Sequence, residues 1–169
     1  VSACVVECAS KKKTKYLRLD KSFYSEPEKS EINNIKNPRW LLNGNKVHIY
    51  CRGGIANLII NIALELKEEK IDIGVASFPN IPPINEGFLI NNLNECRRII
   101  TIEENSEIGG LGSILSSFYL KHNLNLDSFK TIALPRKFAT KVGDQDFMRE
   151  YFKIGRKSII DYIRLSISQ

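Results

Sequence analysis

Short apolar runs alternate with amphipathic helical stretches along this chain, and no other feature restricts its fold as strongly. Lys46-Val47-His48-Ile49-Tyr50-Cys51 reads as a strand and Arg52-Gly53-Gly54 as a turn, after which Ile55, Leu58, Ile59, Ile62 and Leu66 fall on one helical face. Ile71-Asp72-Ile73-Gly74-Val75 is the next strand, Asn80-Ile81-Pro82-Pro83 a loop, and 85–95 a helix. Arg98-Ile99-Ile100-Thr101-Ile102-Glu103 is nearly all apolar, as a parallel strand covered on both faces should be. Ile108-Gly109-Gly110-Leu111-Gly112-Ser113 then opens a helix that runs through Tyr119 to His122, and Thr131-Ile132-Ala133-Leu134 is a strand. Helices at 144–152 and about 156–168, broken at Gly155, close the chain. This alternation predicts the α/β class: an open, mostly parallel sheet with helices on both faces.

Composition agrees with a folded domain. The 169 residues are 43% hydrophobic and 26% charged, which excludes disorder, collagen and coiled-coil arrays. No uncharged apolar run reaches the ~18 residues of a membrane span, so no membrane partner is expected. The chain begins at Val1 without methionine, as expected of a fragment or a processed piece. Residues 22–45, rich in Ser, Glu and Asn with Pro27 and Pro38, read as a linker between a short segment 1–21 and a domain 46–169.

The net charge of +6 sits at the two ends: +4 over residues 1–21, −2 over 22–135 and +4 over 136–169. Lys11-Lys12-Lys13 has no regular aromatic interleaving and no zinc-finger or RNA-recognition signature, so a solvated loop is expected and no nucleic-acid partner. Cys4, Cys8, Cys51 and Cys96 form neither CxxC nor a Cys/His cluster, so no metal site is expected. Cys51 and Cys96 read as small buried thiols in a reducing, cytoplasmic compartment.

Few residues read as chemistry. Gly109-Gly110-Leu111-Gly112-Ser113 lies between a buried strand and a helix, where amides and the helix dipole suit an anion. Its spacing is neither the dinucleotide fingerprint nor a P-loop, and a tight turn that lets helix and strand approach is the competing reading. Arg52 has the same two readings, phosphate contact or solvated arginine. Glu103 and Glu104 stand at the carboxyl end of a parallel strand, but adjacent strand residues point to opposite faces, so a capping or loop role is expected rather than an acid–base pair. His48 lies inside a strand and His122 at a helix end, with no nucleophile elbow beside either. No catalytic residue is expected in this chain.

The order of these motifs resembles a known family. Ile102-Glu103-Glu104-Asn105-Ser106-Glu107-Ile108-Gly109-Gly110-Leu111-Gly112-Ser113 resembles the V-E-E-H-S-x-x-G-G-L-G-S segment of transketolase-like thiamine diphosphate enzymes. Phe78-Pro79-Asn80-Ile81-Pro82-Pro83-Ile84-Asn85 stands where that family has a T-I-K-P-L-D loop, and Tyr16-Leu17-Arg18-Leu19 is similar to its Y-I-R-L strand. The segment from Asp144 to Leu165 resembles its closing helix pair. Departures are Cys51-Arg52-Gly53-Gly54 where Ala-Thr-Gly-Ser is frequent, and Asn105 where His is common.

The resemblance implies a transketolase C-terminal domain over about 40–169, close to split transketolase subunits and 1-deoxyxylulose-5-phosphate synthases, with residues 1–21 as the end of a pyrimidine-binding domain. It implies an enzyme that moves a two-carbon or acyl unit to an aldehyde sugar, with thiamine diphosphate and magnesium held by the assembled protein. The family's Gly-Asp-Gly…Asn diphosphate motif is absent, and the isolated chain is expected to be inactive. The implied partners are the missing pyrimidine- and diphosphate-binding domains or subunits, a second copy in a homodimer, and a phosphorylated sugar. Arg18 matches the arginine that meets the substrate phosphate, a task suited to a planar guanidinium. Two alternatives stand beside this: a stand-alone anion- or nucleotide-binding regulatory module, and the C-terminal domain of a 2-oxo acid dehydrogenase β subunit.

Overall fold

The computed structural model describes residues 2–10, 12–19, 37–80 and 85–168. In chain order the elements are α1 (Ser2–Ser10), β1 (Arg39–Leu42), β2 (Val47–Arg52), α2 (Ala56–Glu68), β3 (Ile73–Ser77), α3 (Glu86–Asn92), β4 (Arg98–Ser106), α4 (Leu111–Lys121), β5 (Ser128–Leu134), α5 (Gln145–Tyr151) and α6 (Arg156–Ser168). The strands form one open sheet in the order β1-β3-β2-β4-β5. β1 pairs antiparallel with β3, and every other pairing is parallel.

Alternation along the strands sorts the core into two layers. Val47, Ile49 and Cys51 of β2, Ile73 and Val75 of β3 and Ile100 and Ile102 of β4 pack with Ile59, Ile62 and Leu66 of α2 and Ile159 and Ile163 of α6. Tyr50, Ala76 and Ile99 face the other way, toward Leu89 of α3 and Leu111, Leu115, Phe118 and Tyr119 of α4. Each such Ile or Leu contributes about 1.5–3 kcal/mol by leaving water, and the polar residues of β4 are concentrated toward its carboxyl end, from Glu103 to Ser106. The helix starts are marked as the sequence suggests: the Asn85 side chain accepts from the Phe88 amide at 2.9 Å, and Asp144 from the Phe147 amide at 2.8 Å. Lys153, at φ 59, turns the chain between α5 and α6 just before Gly155.

Two readings need correction. Arg39–Leu42, read as part of the linker, is the edge strand β1, so the sheet begins before residue 46. Tertiary contacts hold it there: the Trp40 ring lies edge-on to His48 at 4.8 Å and tilted against Phe88 at 5.7 Å. Tyr16-Leu17-Arg18-Leu19, read as strand, belongs to no strand among the described residues, and Tyr16 is 89% exposed. Ahead of it stands the helix α1, whose C-terminal carbonyls of Glu7 and Cys8 accept from the Lys15 amine, the latter at 3.0 Å. Residues 20 and 21 of the N-terminal segment, 22–36 of the linker, and Ile81-Pro82-Pro83-Ile84 of the loop resembling T-I-K-P-L-D lie outside the described residues. Among the described residues no helix is long and apolar enough to cross a membrane.

Candidate functional site

The connections after β2 and β4 leave the sheet in opposite directions. β2 turns at Gly53, φ 79, into α2 on one face, while its neighbour β4 leads into α4 on the other. Diverging connections between adjacent parallel strands open a crevice at their carboxyl ends, the usual ligand edge of such sheets. Arg52 and Glu103 sit in register at this point.

Glu103 forms the floor. Its side chain is fully buried, and Oε1 accepts the Gly112 amide at 3.1 Å. The carboxylate thus lies at the positive end of α4, where it satisfies one of the free amides of the first turn. Among the described residues no partner reaches Glu103 Oε2. The glycines make this seat possible. A Cβ on Gly110 would lie 2.4 Å from Glu103 Oε1 and 2.6 Å from the Ser106 carbonyl oxygen. On Gly112 it would lie 2.4 Å from Thr131 Cγ2 and 2.6 Å from Thr101 Oγ1, two threonines linked to each other at 3.3 Å. Gly109 differs: its φ is 74 and nothing approaches within 4 Å of a built Cβ. Ser113 is half-buried, and its carbonyl accepts from Ser116 Oγ at 2.9 Å.

The next two residues of β4 point to different partners. Glu104 binds Arg149 Nε at 2.8 Å and Gln145 Nε2 at 3.0 Å, which anchors α5. Asn105 Oδ1 accepts from Arg18 Nη1, a bond that spans 87 positions and ties the segment carrying Arg18 to the sheet.

Both sequence-read sites therefore attach to the end of β4. Arg18 arrives beside Asn105, and Gly110 and Gly112 lie against the carboxyl group of Glu103. Glu103 caps α4, in keeping with a capping role, but its complete burial was not legible. Asn105 as the partner of Arg18 was missed; the one signal was its place where His is common in the resembled family.

Other titratable groups are shifted mainly by burial. Burial pushes the Cys51 thiol up to about 12 and also raises Cys96. Burial likewise raises the Tyr50 and Tyr119 hydroxyls, which share one layer of the core. His48 is buried with Nε2 on the Gly44 carbonyl at 3.0 Å and, among the described residues, nothing on Nδ1. Tyr151 shifts opposite to Tyr50 and Tyr119: its hydrogen bond with Thr140, then Lys137 and Lys141, lower its pKa, but it lies on α5 and not in the crevice. Among the described residues no three His, Cys, Asp or Glu side chains converge to hold a metal.

Comparison with known proteins agrees with this architecture. Residues 39–157 match the family model described as transketolase, C-terminal domain. One of the subunits of the apulose-4-phosphate transketolase of Actinobacillus succinogenes is 27% identical over 121 residues, 72% of this chain and 39% of that protein. A 1-deoxy-D-xylulose-5-phosphate synthase of Alkaliphilus oremlandii is 30% identical over 125 residues, 74% of this chain and 20% of that protein. The chain thus spans about two-fifths of the first relative and a fifth of the second. Among solved structures, a split-gene transketolase described as an inactive beta4 tetramer superposes with a TM-score of 0.68 at 18% identity, covering 80% of this chain and 43% of that one. A Pichia stipitis transketolase in complex with sedoheptulose 7-phosphate gives 0.56 at 18% identity over 79% of this chain and 18% of that one.

Proposed function

The chain belongs to the transketolase C-terminal domain family, and on that premise we propose that it is the C-terminal part of a transketolase-like transferase. The assembled protein moves a two-carbon or acyl unit from a ketose or keto acid to a phosphorylated aldehyde. This chain contributes architecture and dimer contacts, and Arg18 contributes a guanidinium to the substrate phosphate. The observation that carries the reading is the extent of the match: the family model spans 39–157, while the chain aligns with only 39% of the transketolase subunit it resembles.

Thiamine diphosphate and magnesium do not fit the residues present. The chain lacks the diphosphate-binding Gly-Asp-Gly…Asn motif, and Glu103 and Glu104 are engaged as a helix cap and as an ion pair rather than gathered as ligands. The cofactor and its metal belong to the remaining domains or subunits.

The test is turnover of a ketose donor and a phosphorylated aldehyde acceptor with both cofactors present. The chain alone is expected to be inactive and the chain joined to its complementary domains or subunit active. Activity of the chain alone, or none in the assembled protein, overturns the proposal.

A further inference from the structure

We infer that Asn105 is the positioning residue for Arg18: a neutral acceptor on the end of β4 that orients the guanidinium without cancelling its charge. The inference rests on the reading of Arg18 as the phosphate residue and adds what makes that residue competent. Arg18 lies on a segment that pairs with no strand, and its side chain is exposed. A long side chain so placed samples many rotamers, and binding a phosphate through two parallel N–H groups requires one of them. Asn105 supplies the fixed point: it lies between Glu103, the last residue of β4 in register with β2, and Ser106, which pairs with Leu134 of β5. The β4–β5 register shifts between Ile102 and Ser106, so the strand is irregular where it presents Asn105. Such irregularities re-aim side chains at the edges of sites.

The choice of partner is what points to function. Two carboxylates precede Asn105 on the same strand end, and both are committed elsewhere, Glu103 to the Gly112 amide and Glu104 to Arg149 and Gln145. Arg18 bonds instead to an amide oxygen. A tether built for stability alone would gain from an acid here, since a charge-assisted pair is the stronger one. An acid would also neutralise the guanidinium and compete with an incoming phosphate. Asn105 engages one of the five guanidinium N–H groups, and a neutral acceptor leaves the positive charge uncancelled; among the described residues no carboxylate is bonded to Arg18.

The experiment is steady-state kinetics on the assembled enzyme with a phosphorylated aldehyde acceptor and its unphosphorylated counterpart. Wild type is compared with Arg18→Lys, Asn105→Ala and Asn105→Asp. Asn105→Ala is expected to raise KM for the phosphorylated acceptor about tenfold, with kcat within about twofold and the unphosphorylated acceptor unaffected. Asn105→Asp, which keeps size and tether, is expected to raise that KM at least as much. A KM for Asn105→Asp equal to wild type, or a loss in Asn105→Ala shared equally by both acceptors, overturns the inference. If Arg18→Lys leaves discrimination between the two acceptors unchanged, the phosphate reading of Arg18 itself fails, an outcome separate from the first two.

Discussion

Replacing Gly112 by alanine tests whether the glycine turn is a seat for the chain's own carboxylate. The added methyl would lie 2.4 Å from Thr131 Cγ2, 2.5 Å from Thr131 Oγ1 and 2.6 Å from Thr101 Oγ1. These are stiff, β-branched side chains on paired strands, and Thr101 is fully buried, so the helix must move. Overpacking of this kind costs about 1–3 kcal/mol. Displacing α4 also lengthens the bond from the Gly112 amide to Glu103, and loss of a hydrogen bond to a charged group costs roughly 1.5–3 kcal/mol. Alanine returns at most about 1 kcal/mol in helix propensity. The net expectation is a loss of about 2–4 kcal/mol, or a Tm lower by roughly 5–15 °C. Urea unfolding followed by circular dichroism measures it, with Gly109→Ala as the internal control. Gly109 has open space around it and only a positive φ to strain, so its replacement is expected to cost about 1–2 kcal/mol. Equal losses at the two positions, or a Gly112→Ala protein as stable as wild type, would refute the seat.

Two further expectations come from buried groups. Desolvation holds His48 below its ordinary pKa, against the raising influence of the Gly44 carbonyl and Glu95, so the unfolded chain binds the extra proton first. Stability from this residue is complete above about pH 6.5 and falls as the pH drops toward the folded-state value, by no more than about 1.4 kcal/mol per pH unit. Urea midpoints between pH 7.5 and 5.5 should show that slope and lose it in His48→Phe; an unchanged slope in the variant assigns the pH dependence elsewhere. For the thiols, iodoacetamide labelling of the native protein should modify half-buried Cys4 and Cys8 and spare Cys51, which is fully buried with its pKa near 12. Native labelling of Cys51 by mass spectrometry would contradict its place in the core.

Most of the sheet was legible because its residues obey local rules. β4 announces itself as a run of isoleucines, and α2 by the spacing of Ile55, Ile59, Ile62 and Leu66. What escaped depends on neighbours distant in sequence. β1 has four residues, flanked by Pro38 and Asn43, too few for a period, and it is a strand because β3 offers an edge and Trp40 packs on His48. Tyr16-Leu17-Arg18-Leu19 errs in the other direction: its alternation suits a strand, yet Tyr16 and Leu19 are exposed and no described strand lies alongside. The glycine motif could be placed at a strand–helix junction from spacing, but not the depth of Glu103. That burial arises only when α4 closes over β4 and brings the Gly112 amide, nine residues along the chain, onto the carboxylate.

The filled seat bears on how the crevice handles anions. In an open α/β sheet the amides at the switch point ordinarily remain available to a ligand. Here Glu103 takes the Gly112 amide, and Gly110 lies against the same carboxylate with no room for a further atom. An external phosphate at the floor would have to displace the buried Glu103 side chain. The positive charge tied to this strand end that faces water is that of Arg18, whose segment lies before the sheet begins. Changes in Gly110, Gly112 or Glu103 act on the attachment of α4, whereas on the proposed reading changes in Arg18 or Asn105 act on substrate phosphate and leave the sheet intact. On that reading the guanidinium contact depends on how the N-terminal segment is held, and the bond from Arg18 to Asn105 ties it to the end of β4.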